Sequence, residues 1–257
     1  MGGAGDQASD LEGAVVIVTG GGRNLGREYC RAFAQRGCHV VVADIADTEE
    51  AVDELTALGA KAVGVHVDVA DEASVAEMVS VAMTFGRIDV LVNNAALYGD
   101  LVRAPLEELG REDFERTMTV NVTGPFLCTK AVWPVMRRQG GGSIVNISSG
   151  TFWVGMGSAH YVASKGAVIG LTRVAAREGG PLNIRCNAIT PGFTMSQASI
   201  DVMGPNTRLA DRIAAATPLG RLEQPADLVG TVLFLASQAS AFMTGQTLNV
   251  DGGWYMH

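Results

Sequence analysis

Apolar and polar positions along the chain fall into short β-branched runs separated by longer stretches of helical period. Ala14-Val15-Val16-Ile17-Val18-Thr19 is an unbroken run, the signature of a strand buried on both faces. After a glycine turn, Leu25, Tyr29 and Phe33 recur at one-turn spacing, which predicts a helix packed on a sheet and ended by Gly37. His39-Val40-Val41-Val42-Ala43-Asp44 reads as a second strand, and 48–58 as a helix with acidic residues early, as its dipole favours. A third strand is expected over 61–69, a helix over 71–85, and a fourth strand at Ile88-Asp89-Val90-Leu91-Val92-Asn93-Asn94. A loop covers 97–110. A long helix follows over 111–139, with Gly124-Pro125 as its point of disturbance. The chain then reads as a strand at 143–147, a helix at 160–178, a strand at 183–189, an irregular stretch at 193–217, a helix from Pro225 to Ser237 and a last strand at 246–250.

Strands alternating with helices, joined by right-handed crossovers, give an α/β fold: a Rossmann-like, doubly wound parallel sheet of about seven strands, helices on both faces. No linker-like composition shift and no solenoid-length repeat divides the chain. The expectation is one dinucleotide-binding and catalytic domain over 11–257, preceded by a disordered tail at 1–10.

Composition narrows the function classes. Apolar residues are 47% and charged residues 18% of 257, enough for a large core. No apolar run reaches the roughly 18 residues a membrane span needs. The net charge is −8, with no basic patch interleaved with aromatics, so nucleic acid is not an expected partner. The first ten residues lack the basic and apolar regions of a signal peptide. Cys30, Cys38, Cys128 and Cys186 are widely spaced, with no CxxC and no Cys/His cluster. This predicts no metal site and reduced thiols in a cytoplasmic protein.

Two stretches carry chemistry. Thr19-Gly20-Gly21-Gly22-Arg23-Asn24-Leu25-Gly26 joins the first strand to the first helix. Gly20 allows a tight turn, Gly26 lets the helix lie close to the sheet, and the helix N-terminus presents amides to a pyrophosphate. Asp44, closing the second strand, would accept hydrogen bonds from ribose hydroxyls and repel a 2′-phosphate, favouring NAD(H) over NADP(H). The alternatives are a solvated strand-end carboxylate, and an Arg23 that meets the 2′-phosphate instead. The second stretch is His160-Tyr161-Val162-Ala163-Ser164-Lys165. Tyr161 and Lys165 share one helix face. A phenol ionises near pH 10, and a fixed ammonium nearby pulls that value down toward the range useful for acid–base catalysis.

Thr19, Gly20 and Gly26, Asp68, Asn93-Asn94-Ala95-Ala96, Asn121, Ser148-Ser149, Tyr161 with Lys165, Asn187 with Pro191-Gly192, and Val250-Asp251-Gly252-Gly253 stand in series. Together they resemble the short-chain dehydrogenase/reductase family over nearly the whole chain. Two positions depart from its pattern. Asn24 replaces the usual second glycine of the turn, although Asn tolerates positive φ better than most residues, and Ala96 stands where the family more often has glycine.

The resemblance implies roles. Gly20, Arg23, Asn24, Leu25 and Gly26 would line the pyrophosphate, Asp44 and Ile45 the ribose, Asp68 and Val69 the adenine, and Asn94, Ala95 and Ala96 the adenosine side. Ile189, Pro191, Gly192 and Thr194 would border the nicotinamide. Tyr161 would be the acid or base on the substrate oxygen. Lys165 would lower its pKa and hold the nicotinamide ribose, and Asn121 would hold a water linking Lys165 to solvent. A serine would polarise the substrate oxygen. Counting 13 residues back from Tyr161 gives Ser148; aligning the strand end gives Ser149, preferred because strand register slips less readily than a loop shortens.

Phe152, Trp153, Val154, Met156, Phe193 and Met195 suggest an apolar pocket, with 193–217 as a lid. Phe152 and Trp153 packed under their loop or at a subunit contact is the other reading. The stretch before Tyr161 is similar to secondary-alcohol dehydrogenases acting on aryl ketones. The expectation is hydride transfer between NAD(H) and an apolar or aromatic secondary alcohol or ketone. The alternatives are an NADPH-dependent 3-oxoacyl-thioester reductase, and a non-catalytic dinucleotide-binding regulator. The resemblance also implies a homotetramer, built through the 111–139 helix, the catalytic helix and the apolar end Trp254-Tyr255-Met256.

Overall fold

The computed structural model describes residues 10–204 and 208–256. Apart from Asp10, the tail assigned to 1–10 lies outside the described residues, as do 205–207 of the expected lid. The strands are β1 (Val15–Thr19), β2 (His39–Asp44), β3 (Ala62–His66), β4 (Val90–Asn93), β5 (Gly142–Ile147), β6 (Ile184–Pro191) and β7 (Thr247–Val250). They form one parallel sheet in the order β3-β2-β1-β4-β5-β6-β7. The helices are α1 (Asn24–Ala34), α2 (Glu49–Ala57), α3 (Glu72–Ala82), α4 (Arg111–Met118), α5 (Gly124–Gln139), α6 (Thr151–Val154), α7 (Ala159–Gly179), α8 (Gln197–Met203), α9 (Arg208–Ala216) and α10 (Pro225–Ala236).

Every residue of β1 is buried, and its alternating side chains feed two cores. Val16 and Val18 meet Tyr29 and Phe33 of α1 and Leu228 and Val232 of α10. Val15 and Ile17 meet Met78 of α3 and Leu127, Cys128, Val132 and Met136 of α5. This is why the β1 run has no polar face, and each such side chain taken fully out of water contributes about 1.5–3 kcal/mol. All four cysteines are unpaired and buried. Among the described residues, no helix is long and apolar enough to cross a membrane.

The order reverses at β1: the chain winds out to β3, then returns to place β4 on β1's other side. Carboxyl ends that diverge there open a crevice. The register Thr19↔Ala43, Val18↔Val92 and Ile147↔Ile189 keeps the strand ends level. One rim therefore carries the glycine turn, Asp44, Asn94, Ser149 and Pro191.

The structure corrects the element map in several places. β3 stops at His66 rather than running to 69, because Asp68 turns back on the chain and Oδ1 accepts the Ala70 amide at 2.9 Å. The single 111–139 helix is two, separated by a π-turn at Thr119–Thr123. The disturbance expected at Gly124-Pro125 falls immediately before that pair, and Pro125 sits in the first turn of α5, where a missing N–H is tolerated. The stretch 193–217 is not irregular. The Ser196 hydroxyl caps α8 by accepting the Ser199 amide at 3.2 Å, and α9 buries Ala210 and Ile213. α6 is an additional short turn, ended by Gly155 at φ 63.

Candidate active site

The glycine turn is built by close approach. Gly20 has φ 64, and a Cβ there would stand 3.0 Å from the Ala95 Cα. A Cβ at Gly26 would run into the Gly20 carbonyl. Asn24 takes φ 50 without being glycine, and its Oδ1 accepts the Ala198 amide at 3.3 Å, joining the turn to α8. Leu25 packs half-buried on the α1 core. Arg23 is exposed at the N-cap in extended backbone, with no side-chain cap bond. The first amides of α1 therefore face a cradle lined by Gly21 and Gly22, a donor set that fits a dinucleotide pyrophosphate.

Asp44 is 5% exposed. Its Oδ2 accepts the Gly22 amide and its Oδ1 the Ala46 amide, each at 3.0 Å. It thus shapes the turn, and each oxygen retains a second lone pair for a ribose hydroxyl. Ile45 beside it is 59% exposed. Val69 is buried behind the half-buried Asp68. Asn94 ties β4 to the turn: its Nδ2 donates to the Thr19 and Gly20 carbonyls at 2.9 and 3.1 Å. The Asn94 and Ala95 amides both reach the Thr19 hydroxyl, and Ala96 is exposed on the rim.

Tyr161 and Lys165 sit one turn apart on α7, with the ammonium nitrogen 5.5 Å from the phenol ring centroid. The two serines are separated by their partners. Ser148 Oγ donates to the Lys165 carbonyl at 2.7 Å and so closes the strand. Ser149 Oγ accepts from Thr151 N and Oγ1, and Ser149 favours ionisation of the Tyr161 phenol. Lys165 Nζ donates to the Ile147 carbonyl at 2.9 Å, and burial pulls the ammonium down to about 8. Lysine was expected to lower the phenol; instead burial pushes Tyr161 up, Tyr98 adds to this, and Ser149 and Arg103 oppose it. The physical reason is desolvation of a buried phenol, while Nζ donates to the Ile147 carbonyl.

Asn121 lies in the π-turn, buried. Its Nδ2 donates to Ser164 Oγ at 3.1 Å and to the Leu97 carbonyl at 3.3 Å, and Oδ1 accepts the Leu97 amide at 2.7 Å. The side chain clamps the post-β4 loop onto α7.

The aromatic residues divide unexpectedly. Phe152 lies along α7, where a Cβ on Gly166 would come within 2.8 Å of its ring. The Trp153 indole donates to Thr190 Oγ1 at 3.3 Å and stacks on Tyr255, with planes 8° apart. Met156 is 48% exposed, and Phe193 is half-buried at the start of the α8 segment. The ring that meets Tyr161 is Tyr98, at 5.5 Å between centroids. Sequence reasoning missed it, because a lone tyrosine in a loop carries no spacing signal.

Sequence reasoning also missed Glu223. Its backbone bridges Thr194, its Oε2 accepts the Gly192 amide at 2.7 Å, and its Oε1 is buried without a partner. Burial pushes this carboxyl up to about 8. Pro191, Gly192 and Thr194 thus rest on a buried acid. Among the described residues, no cluster of His, Cys, Asp or Glu could hold a metal ion.

Residues 20–255 match the family model described as Enoyl-(acyl carrier protein) reductase. An uncharacterized oxidoreductase of Mycobacterium tuberculosis is 43% identical over 246 residues, covering 95% of this chain and 98% of that protein. A 3-oxoacyl-[acyl-carrier-protein] reductase of Synechocystis is 38% identical, covering 96% and 98%. A 7α-hydroxysteroid dehydrogenase complexed with NADH and 7-oxo glycochenodeoxycholic acid superposes with a TM-score of 0.90 at 34% identity, covering 98% of both chains.

Proposed function

The chain belongs to the short-chain dehydrogenase/reductase family of oxidoreductases, and from that premise we propose that it transfers a hydride between NAD(H) and an apolar or aromatic secondary alcohol or ketone. A nicotinamide dinucleotide is the cofactor its relatives support. The choice of NAD(H) rests on Asp44, whose carboxylate would repel a 2′-phosphate. The observation that carries the reading is Tyr161, its phenol's ionisation favoured by Ser149, with Lys165 one turn along, on the rim that holds the glycine turn.

Bound at Gly20–Gly26, Asp44 and the Pro191–Thr194 segment, the dinucleotide supplies hydride chemistry. The chain's own residues move the proton. In ketone reduction Tyr161 gives its phenolic proton to the substrate oxygen as charge builds there; in alcohol oxidation it takes that proton back. Ser149 donates a hydrogen bond to the same oxygen. Lys165, whose Nζ donates to the Ile147 carbonyl, would hold the nicotinamide ribose. Asn121 holds the Leu97 loop against α7 and so keeps the opposite wall in place.

A second reading, a 3-oxoacyl-thioester reductase using NADPH, is favoured by the Synechocystis relative; Asp44 argues against its cofactor. The intact Tyr161, Lys165 and Ser149 set argues against a non-catalytic regulator. For the assembly we propose a cytoplasmic homotetramer, which light scattering on the purified protein tests.

A panel of ketones and secondary alcohols, followed by NADH absorbance, tests the reaction. Tyr161→Phe is expected to abolish turnover while NADH binding by fluorescence stays within about twofold of the parent, since only a proton donor is removed. Near-normal turnover in that variant would remove the acid–base role.

A further inference from the structure

The loop between β4 and α4 holds a stack that the proton-transfer scheme leaves unused. The Arg103 guanidinium carbon lies over the Tyr98 ring, 5.7 Å from its centroid. Tyr98 in turn lies against Tyr161, with planes inclined at 54°. The same guanidinium is tied to the backbone beneath it. Nη1 donates to the Gly99 and Leu101 carbonyls at 3.3 and 3.2 Å, and Nη2 donates to the Tyr98 carbonyl at 2.9 Å. On the other side of Tyr98, Asn121 holds both the N–H and the carbonyl of Leu97. An exposed arginine that binds three carbonyls of one turn fixes the turn's shape, and a planar fork suits that task where a lysine would not.

We propose that Arg103 and Tyr98 act as a positioning unit for Tyr161. The guanidinium clamps the 98–101 turn, sets the Tyr98 ring as the wall opposite the phenol, and places a second positive charge on the phenol's side of the cleft. The inference rests on Tyr161 being the acid and base of the reaction. The titratable groups that face the phenol are Tyr98 and Arg103 from this loop and Lys165 from its own helix. Ser149, just past the end of β5, favours the phenol's ionised form, and His160, just before Tyr161, accepts the Tyr161 amide through Nδ1. Of the two phenol-facing loop groups, Arg103 favours the phenolate and Tyr98 opposes it.

The sign follows. Alcohol oxidation needs Tyr161 deprotonated, so its rate rises with pH through the phenol's ionisation. Loss of the Arg103 charge makes ionisation harder and moves that acid limb to higher pH.

The test is the pH profile of kcat for oxidation of one alcohol by the full chain, with KM measured in parallel. Arg103→Gln is expected to raise the acid limb by about half a pH unit, the scale of one charge acting across a partly solvated gap. It should also raise KM about fivefold as the turn loosens. Arg103→Lys keeps the charge without the fork, so the limb stays in place while KM rises. Tyr98→Ala removes the wall and raises KM about tenfold, whereas Tyr98→Phe retains the ring and keeps KM near the parent's. If Arg103→Gln leaves limb and KM unchanged, or if the Gln and Lys variants shift the limb equally, the inference is overturned. An active Tyr161→Phe would instead sink the acid–base reading itself, so the two failures are told apart.

Discussion

Asp44 shows how one carboxylate can serve two ends. It accepts the Gly22 and Ala46 amides and thereby shapes the turn, and the same charge would exclude a phosphate. Asp44→Ala should lower the NAD(H) preference over NADP(H) in kcat/KM by about tenfold or more, with some loss of affinity for both because the turn loosens. Unchanged cofactor ratios would leave Asp44 a structural residue only. Glu223 differs, being buried with one unpartnered oxygen. Its folded pKa of about 8 lies above the ordinary carboxylate value. The unfolded chain therefore releases this proton first, and the folded state loses stability as pH rises from the ordinary carboxylate range through about 8. Glu223→Gln keeps an acceptor for Gly192 without the charge. The Tm difference between this variant and the parent should widen in the variant's favour over that pH window and level off above it. A pH-independent difference would refute the buried-acid account.

Among the elements, the π-turn at Thr119–Thr123 matters most to the site. A regular helix advances one residue every 100° or so; the wider turn carries Asn121 round to face Leu97 and Ser164 together. π-turns inside helices recur at functional sites for this reason. The helix that follows approaches β3's exit closely, and a Cβ on Gly124 would stand 2.7 Å from Val69 Cγ2. Gly124→Ala should cost about 1–3 kcal/mol by urea unfolding despite alanine's better helix propensity. A neutral or stabilising change would mean that Val69 moves aside freely. The element scale is also where the sequence spoke least. Long helices and β-branched strands announce themselves by period. α6, α8 and α9 are short and rest on a cap such as Ser196 or on a few buried residues such as Ala210 and Ile213. The π-turn has no composition of its own.

At the scale of the whole molecule, the sheet was legible almost in full. The β1 and β2 runs are almost wholly apolar because each lies between two helical layers, and β5 reads alike although it buries Ser143 and Asn146. Tyr161 and Lys165 were legible because helix geometry alone makes them neighbours. Strand register already favoured Ser149 over Ser148, and the bond of Ser148 to the Lys165 carbonyl agrees with that preference. Tyr98 and Arg103 needed the fold, since only the crossing of the post-β4 loop over α7 brings them to the phenol.

The bond from the Ala198 amide to Asn24 spans two distant parts of the chain. Asn24 stands in the glycine turn, and its oxygen also accepts an amide from the first turn of α8. Any displacement of α8 would free that oxygen, and any reshaping of the turn would alter the same contact. The glycine turn and the first turn of α8 are thus tied through one side chain, so a change at either would be felt at the other.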